Sequence, residues 1–556
     1  MNKRKETARS AGIIGIFVMI SRVLGLIREQ LFAFFFGASP LTSVFLTAFR
    51  IPNLLRDLFA EGALSSAFVT TFTKKLHLEG DTAAWRLANM VTNALLLIVG
   101  SIVVLGILFG PYLPLAPDRN FTPDQQGLLA NMIRIMFPFL LLVSMASVSM
   151  GILNAKNNFA IPASASSFFN IGSIFGGFGL AFVFESIWGQ PNVSWSSWTS
   201  IKQYVVHPEF GFPAMYGLAV GVLIGGFFQW LIQQPALRKV GYRYEAVLDP
   251  KDAGLKQVGL LMGPAVIATS AIQINVLVNT IFANHVSGEA TSYLYYAFRF
   301  LQLPLGVFGV AVATAMLPSI SRSAADNDMG NFQESLTHAL QLVVFLTIPS
   351  TAGLILLGDG IVGTVYQIGH NFTAADTHAT HMALQAYSFA LIAYCIVKII
   401  GPAFYALGES RKPMLVSLGA IVVNFVINYL LIMHFGFGHA GLAMGTSIVI
   451  CVNALILMFM MHNRIKVWNL GPLWNTVSRV CGATVLMCVS GFLLHTLWGL
   501  NVGRDLWILR AADLALSMSG CLLTFWFGCR LFGVTEFDEF IQLIRKRRGK
   551  PTGPTP

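Results

Sequence analysis

The sequence predicts an all-α polytopic membrane protein with about fourteen transmembrane helices, arranged as two parallel six-helix lobes plus two extra C-terminal helices. Three observations carry the prediction. The 556 residues are 55% hydrophobic and only 11% charged, at a mean hydropathy of +0.67, where a soluble domain carries about a quarter charged residues. Apolar runs able to cross a ~30 Å hydrocarbon core, which takes about 20 residues, recur from residue 11 to residue 532. Basic residues collect in alternate connections between those runs. The runs lack the alternation of an outer-membrane barrel and far exceed its strands of about 9–11 residues.

Taken in order, the first span, 11–35, follows the basic segment Lys3, Arg4, Lys5 and Arg9. Ser21 and Arg22 interrupt it and no small-residue cleavage site follows, so it reads as a retained helix rather than a signal peptide. The second, 42–73, holds Pro52; the third is 87–113. The fourth and fifth, 126–152 and 160–184, form a hairpin turned at Lys156 and Pro162, and the sixth is 212–237. The seventh, 256–284, holds Gly263-Pro264, which with Pro52 marks an expected bend at the corresponding place in each half. There follow 290–321, 332–357, 380–407, 413–436, 438–462, 473–498 and 506–531.

An even count puts both termini on one side. Connections on that side hold Lys74, Lys75 and Arg86; Lys156; Arg238, Lys239, Arg243, Lys251 and Lys256; Arg322; Arg411 and Lys412; Arg464 and Lys466; and Arg530, Arg545, Lys546, Arg547, Arg548 and Lys550. The opposite side holds Arg119, Lys202 and Arg504. By the positive-inside rule the first set and both termini are cytoplasmic. The net charge of +11 is thereby explained without nucleic acid. The six cysteines fall in spans of the C-terminal half, away from outward loops, and read as small packing residues.

Two internal echoes share an offset of six helices. Gly62, Ala67 and Thr70 of the second span match Gly306, Ala311 and Thr314 of the eighth. The hairpin Asn154 to Asn170 matches Tyr405 to Asn424. An even offset gives parallel repeats, with a site expected near the midplane between them. The expected organisation is an N-terminal lobe at 1–238, a cytoplasmic linker at 239–255, a C-terminal lobe at 256–466, two further helices at 467–534 and an amphipathic basic tail at 535–556. That tail suits anionic lipid.

A charge at a helix centre in the bilayer costs about 2.5–3.5 kcal/mol even on the lenient insertion scale. Counted at 1.5 Å per residue, Arg22 and Arg28 lie ~16 and ~26 Å from the cytoplasmic side, and Arg56 and Arg299 ~21 and ~14 Å from the outer side. Arg22 pairs in principle with Glu29, and Arg50 with Asp57, each seven residues on and on the same helix face. Arg28, Arg56 and Arg299 have no evident same-face acid. Guanidiniums facing an aqueous cavity suit an anion with several oxygens, because the planar fork grips phosphate at two points. A pyrophosphate is the natural candidate.

Enzyme signatures are absent: no H-E-x-x-H, G-x-S-x-G or phosphate-binding loop appears. His370, Asp376, His378 and His381 cluster between the ninth and tenth spans, where solvated side chains are the commoner reading than a metal site. Asn424, Asn428, Thr446 and Asn453 form a polar trail that suits helix–helix hydrogen bonding better than a coupling-ion site. No cofactor and no metal is expected.

SRVLGLIRE (Ser21 to Glu29) and FRIPNLLRDLFAEGALSSAFV (Phe49 to Val69) resemble the opening of the MurJ/MviN lipid II flippase family of the MOP transporter superfamily. The resemblance continues through GILNAKNNFAIPA (Gly151 to Ala163), Met262 to Ala283, Tyr295 to Ser321 and VKIIGPAFYALGESRKP (Val397 to Pro413). It implies a transporter, not an enzyme, in the bacterial cytoplasmic (inner) membrane, exporting undecaprenyl-pyrophosphate-linked peptidoglycan precursor by alternating access. It also implies a cationic cavity between two lobes, with the last two helices forming a groove for the lipid tail. The family's cavity arginines fall on Arg22, Arg28, Arg56 and Arg299, with Asn53, Glu61 and Lys398 in matching supporting positions. The implied partners are lipid II, membrane lipids and peptidoglycan-synthesis proteins. Ser43, Phe298 and Gln302 stand where members carry acids, which leaves the site more basic. A flippase for another polyprenyl-pyrophosphate-linked glycan would need the same arginines; a MATE-type exporter of cations would need acids to dominate instead.

Overall fold

The computed structural model describes residues 3–58, 63–113, 120–189, 210–466, 468–504 and 506–538, and among these every regular element is a helix. Packing divides the chain into two compact units, Met1–Ser292 and Tyr293–Pro556.

The first unit contains α1 (Lys3–Phe36), α2 (Pro40–Arg56), α3 (Ala63–Glu79), α4 (Asp81–Phe109), α5 (Pro123–Met136), α6 (Phe139–Ala155), α7 (Ala160–Gly172), α8 (Gly179–Trp188), α9 (Phe212–Leu231), α10 (Gln234–Lys239) and α11 (Ala253–Val286). Helix starts carry the expected local chemistry. Ser39 caps α2 ahead of Pro40, Thr122 and Gln125 form a capping box on α5, and Asp252 caps α11, each satisfying donors left free by the first turn. A π-helical segment, Ser173–Phe178, joins α7 to α8 and packs on α9. A side chain at Gly221 would meet the Gly177 backbone at 2.2 Å, so only glycine permits this approach.

The second unit is built from α12 (Ala290–Pro304), whose first turn lies in the first unit, α13 (Ala311–Ala325), α14 (Met329–Tyr366), α15 (Ala374–Ser388), α16 (Leu391–Ala406), α17 (Arg411–Tyr429), α18 (His439–Ile465), α19 (Gly471–Asn501) and α20 (Trp507–Phe532). π-Helical segments interrupt the spans at Leu305–Val310 and Leu430–His434. α19 and α20 form a hairpin that packs on α14. Glu536, 4% exposed, ties the segment after α20 to Thr476 and Gln341 at 2.5 and 3.1 Å.

Among the described residues ten helices are long and apolar enough to cross a membrane, and the bent pair α15–α16, at 42°, makes an eleventh if it is one span. The other three expected spans, 11–35, 42–73 and 256–284, coincide with α1, with α2 and α3, and with α11. These are the more polar spans, carrying Arg22, Arg28 and Glu29, Arg50, Arg56 and Asp57, and Gln273, Asn275, Asn279 and Asn284. Fourteen crossings are consistent with the whole set.

One detail differs from expectation, the histidine cluster. Pro52 and Gly263-Pro264 lie inside helices that continue on both sides. His378 and His381 sit on α15, which starts at Ala374, because Thr373 and Asp376 form a capping box there. By its contacts α11 groups with the first unit. The basic tail beyond residue 538 lies outside the described residues. All six cysteines are free; Cys395, Cys521 and Cys529 are buried in the packing and Cys481 is exposed.

Candidate arginine site

Three of the four expected arginines belong to the first unit. Arg22 is exposed on α1, while Glu29, its expected partner, is 6% exposed. Arg28, one turn before the middle of the Phe-rich end of α1, places its guanidinium 5.6 Å from the Phe169 ring of α7. The same helix pair is tied by Asn170 Nδ2 donating to the Ser21 carbonyl at 3.1 Å. Ser21 and Arg28 are seven residues apart, nearly two turns, so the stripe of α1 that meets α7 carries the arginine with it.

Arg56 ends α2. Its Nη2 and Nε donate to Asp57 Oδ1 at 2.9 and 3.2 Å, so it is not the lone cation that helix-face reasoning suggests. Adjacent residues do not share a face within a helix, but at this terminus the two side chains converge. Asp57 Oδ2 in turn accepts from Gln273 Nε2 of α11 at 3.0 Å. Further along the pair, Arg50 Nε donates to Thr280 Oγ1 at 3.1 Å and Thr47 bonds Asn284 at 3.0 Å. Numbers fall on α2 as they rise on α11: the two helices run antiparallel with a polar stripe on each aligned into one seam. Arg50, expected to lean on Asp57, is held by this seam. Asn53 is half-buried one turn before Arg56; Glu61 lies outside the described residues.

The seam was missed in the sequence, although its signal is present. Gln273, Thr280 and Asn284 lie seven and four apart, as do Asp57, Arg50 and Thr47 nearly so, the spacing of one helix face. It ends in a fully buried cluster. Ser43 and Ser292 hydroxyls are 2.8 Å apart, Thr291 donates to Asn284 at 2.7 Å, and Asn120 caps the end of α11 through the Asn284 and His285 carbonyls at 2.9 and 2.6 Å. Ser43 thus makes a neutral hydroxyl pair with Ser292.

In the second unit, Arg299 on α12 donates to the Tyr295 hydroxyl at 2.8 Å and to Gln302 Oε1 at 3.1 Å, and stacks 4.8 Å from the Tyr295 ring. These partners are uncharged. Gln302 holds the guanidinium without neutralising it, and Phe298 packs on Tyr387, ring centroids 5.4 Å apart. Lys398 is exposed on α16, with no hydrogen bond or ion pair among the described residues. Among the described residues no group of three metal-ligating side chains occurs; Asp376 is engaged by Thr373 and by the Tyr293 hydroxyl at 3.0 Å.

The model of the family described as lipid II flippase MurJ matches residues 32–509. The lipid II flippase MurJ of Burkholderia cenocepacia is 32% identical over 543 residues, covering 96% of this chain and 98% of that one. Among solved structures, a lipid II flippase MurJ in an inward closed conformation superposes with TM-score 0.72 at 25% identity, covering 93% of this chain and 98% of its own. An inward-facing multidrug resistance MATE transporter of the MOP superfamily shares the fold, with TM-score 0.61 at 14% identity, over 82% of this chain and 98% of its own.

Proposed function

The chain belongs to the lipid II flippase MurJ family, and from that membership we infer that it is a lipid II flippase, moving the polyprenyl-pyrophosphate-linked peptidoglycan precursor across the cytoplasmic membrane. The observation that carries the reading is a relative of that name matched at 32% identity over nearly the full length of both chains.

Arg22, Arg28, Arg56 and Arg299 are the proposed ligands of the pyrophosphate, with Asn53, Glu61 and Lys398 in support. Arg299 has its guanidinium oriented by the Tyr295 hydroxyl and Gln302 Oε1, a planar fork that suits phosphate oxygens. Asp57 screens Arg56 while no substrate is bound, and Gln273 retains the carboxylate when a phosphate oxygen takes its place. Two-point, charge-assisted hydrogen bonds of this kind are worth roughly 1.5–3 kcal/mol each.

The six-helix lobes at 1–238 and 256–466, joined by the linker at 239–255, move as alternating-access halves. Supporting the repeat, π-helical segments follow the matched hairpins in both halves, at Ser173–Phe178 and Leu430–His434. Helices at 467–534 receive the lipid tail, and both termini are cytoplasmic. Reconstitution with lipid II in sealed vesicles tests the assignment: headgroups should become accessible on the opposite leaflet. Vesicles in which the purified chain leaves lipid II on its original side would overturn it.

A further inference from the structure

The connection between α10 and α11 is not slack chain. Asn89 and Asn93 of α4 are 1% and 9% exposed, and both amides are spent on this connection. The Tyr242 hydroxyl donates to Asn89 Oδ1 at 2.7 Å while Asn89 Nδ2 donates to the Arg243 carbonyl at 3.1 Å. One turn on, the Tyr244 hydroxyl donates to Asn93 Oδ1 at 2.7 Å, and Asn93 Nδ2 donates to the Glu245 and Val247 carbonyls at 3.1 and 2.8 Å. The match is geometric. Residues four apart on a helix rise about 6 Å, and residues two apart on an extended chain about 6.6 Å, so N-x-x-x-N reads Y-x-Y in register. Trp85 packs on Tyr242, ring centroids 5.8 Å apart. The far end is pinned as well: Asp252 Oδ2 lies 3.5 Å from Lys75 Nζ of α3, and Oδ1 caps Leu255 at 2.9 Å.

We propose that residues 242–252 are a strap integral to the first unit, and that Asn89 and Asn93 are positioning residues for transport, fixing through the strap where α11 begins. Asn89 and Asn93 stand ~3 and ~9 Å into the span 87–113, and the seated strap leaves them 1% and 9% exposed. Lifting the strap would break five hydrogen bonds to two buried amides and unstack Tyr242 from Trp85 at once. The strap therefore stays seated through the cycle, and the movement that opens the path pivots beyond Asp252.

The test rests on the flippase reading, so translocation by the parent chain in sealed vesicles is its control; a silent parent refutes that reading and not the strap. In a cysteine-free background, Leu87→Cys with Gly254→Cys joins α4 to the start of α11, since a side chain at Gly254 sits 3.1 Å from Leu87. Cross-linking this pair should leave headgroup translocation within about twofold, and Asn89→Ala with Asn93→Ala should lower it about tenfold, the worth of one to two buried hydrogen bonds. Adding the cross-link to that double variant should restore translocation per folded molecule, with the thermal midpoint measured alongside because a cross-link also stabilises the fold; recovery that only follows the midpoint would overturn the positioning role. Should the double variant fail to reach the membrane, insertions decide. Four Gly-Ser residues after Leu248 should lower translocation about tenfold, whereas the same four after Val240, ahead of the strap, should change it less than twofold. A cross-link that halts the parent until reduced, a double variant as active as the parent, or equal effects of the two insertions overturns the proposal.

Discussion

Arg56 and Arg299 differ in what holds them, yet substitution of either should tell on transport rather than on abundance. Arg56 faces a carboxylate at 2.9 Å; Arg299 faces a hydroxyl and an amide oxygen. Arg56→Ala or Arg299→Ala should lower translocation by about tenfold to a hundredfold, two-point contacts with phosphate being worth ~1.5–3 kcal/mol each, while abundance in the membrane stays within about twofold. Loss of the protein itself would instead assign the arginines to stability. Arg299→Lys should be nearly as damaging as alanine, because an ammonium cannot keep the planar stack on Tyr295 while bonding Gln302. Glu185, 4% exposed, accepts the Gly211 and Ala214 backbone N–H groups at 3.0 Å each and so begins α9. Glu185→Ala should lower the thermal midpoint with a cost of about 1–3 kcal/mol for donors left unpaired, and leave the transport rate per folded molecule unchanged. No feature of its position in the sequence announces this role, since the partners are backbone groups 26 and 29 residues away.

Among the elements, the connection of α16 to α17 carries a pH dependence. Lys412 first, and then Arg464, hold the Glu409 carboxyl below its usual range, with contacts of 2.5 and 2.6 Å. A depressed acid stabilises the folded state above the unfolded pKa of about 4.3, and that contribution fades as pH falls through the lower folded value. Glu409→Gln should therefore melt below the parent at neutral pH, and the gap should close in acid; a gap constant with pH would remove this account. Side assignments are testable on exposed positions. With the native cysteines removed, Ala375→Cys should react with an impermeant thiol reagent on intact cells and Lys239→Cys only after lysis. Helices were legible because apolar length is written locally, as in Phe212–Leu231. Breaks within them were less so. Pro52 suggested a bend, but the π segments at Ser173–Phe178, Leu305–Val310 and Leu430–His434 carry no such local signal shared by all three.

For the molecule as a whole, the charge pattern is what singles out the arginines proposed as ligands, because an intramembrane charge costs too much to be idle. It hid the partners, because Gln273 meets Asp57 across 216 residues. The remaining question at this scale is the driving force. A diphosphate carried through hydrocarbon unpaired would cost far more than a few kcal/mol, and a long polyprenyl tail gains nothing from a hydrated basic cavity. The headgroup should therefore cross while held by arginines, with the tail left in lipid. A cytoplasm-negative potential pushes that anionic headgroup outward, contributing up to ~2.3 kcal/mol per charge per 100 mV, and draws the emptied cationic site back inward. Both half-cycles then run downhill without a carboxylate that takes up and releases protons. Ser43 and Gln302 agree with such a scheme, since both are neutral hydrogen-bonding groups. In sealed vesicles holding the protein and lipid II, a potential imposed without sodium or proton gradients should accelerate headgroup appearance on the positive side, and reversing its sign should slow it. Translocation indifferent to the potential but dependent on an ion gradient would replace this scheme with an ion-coupled one.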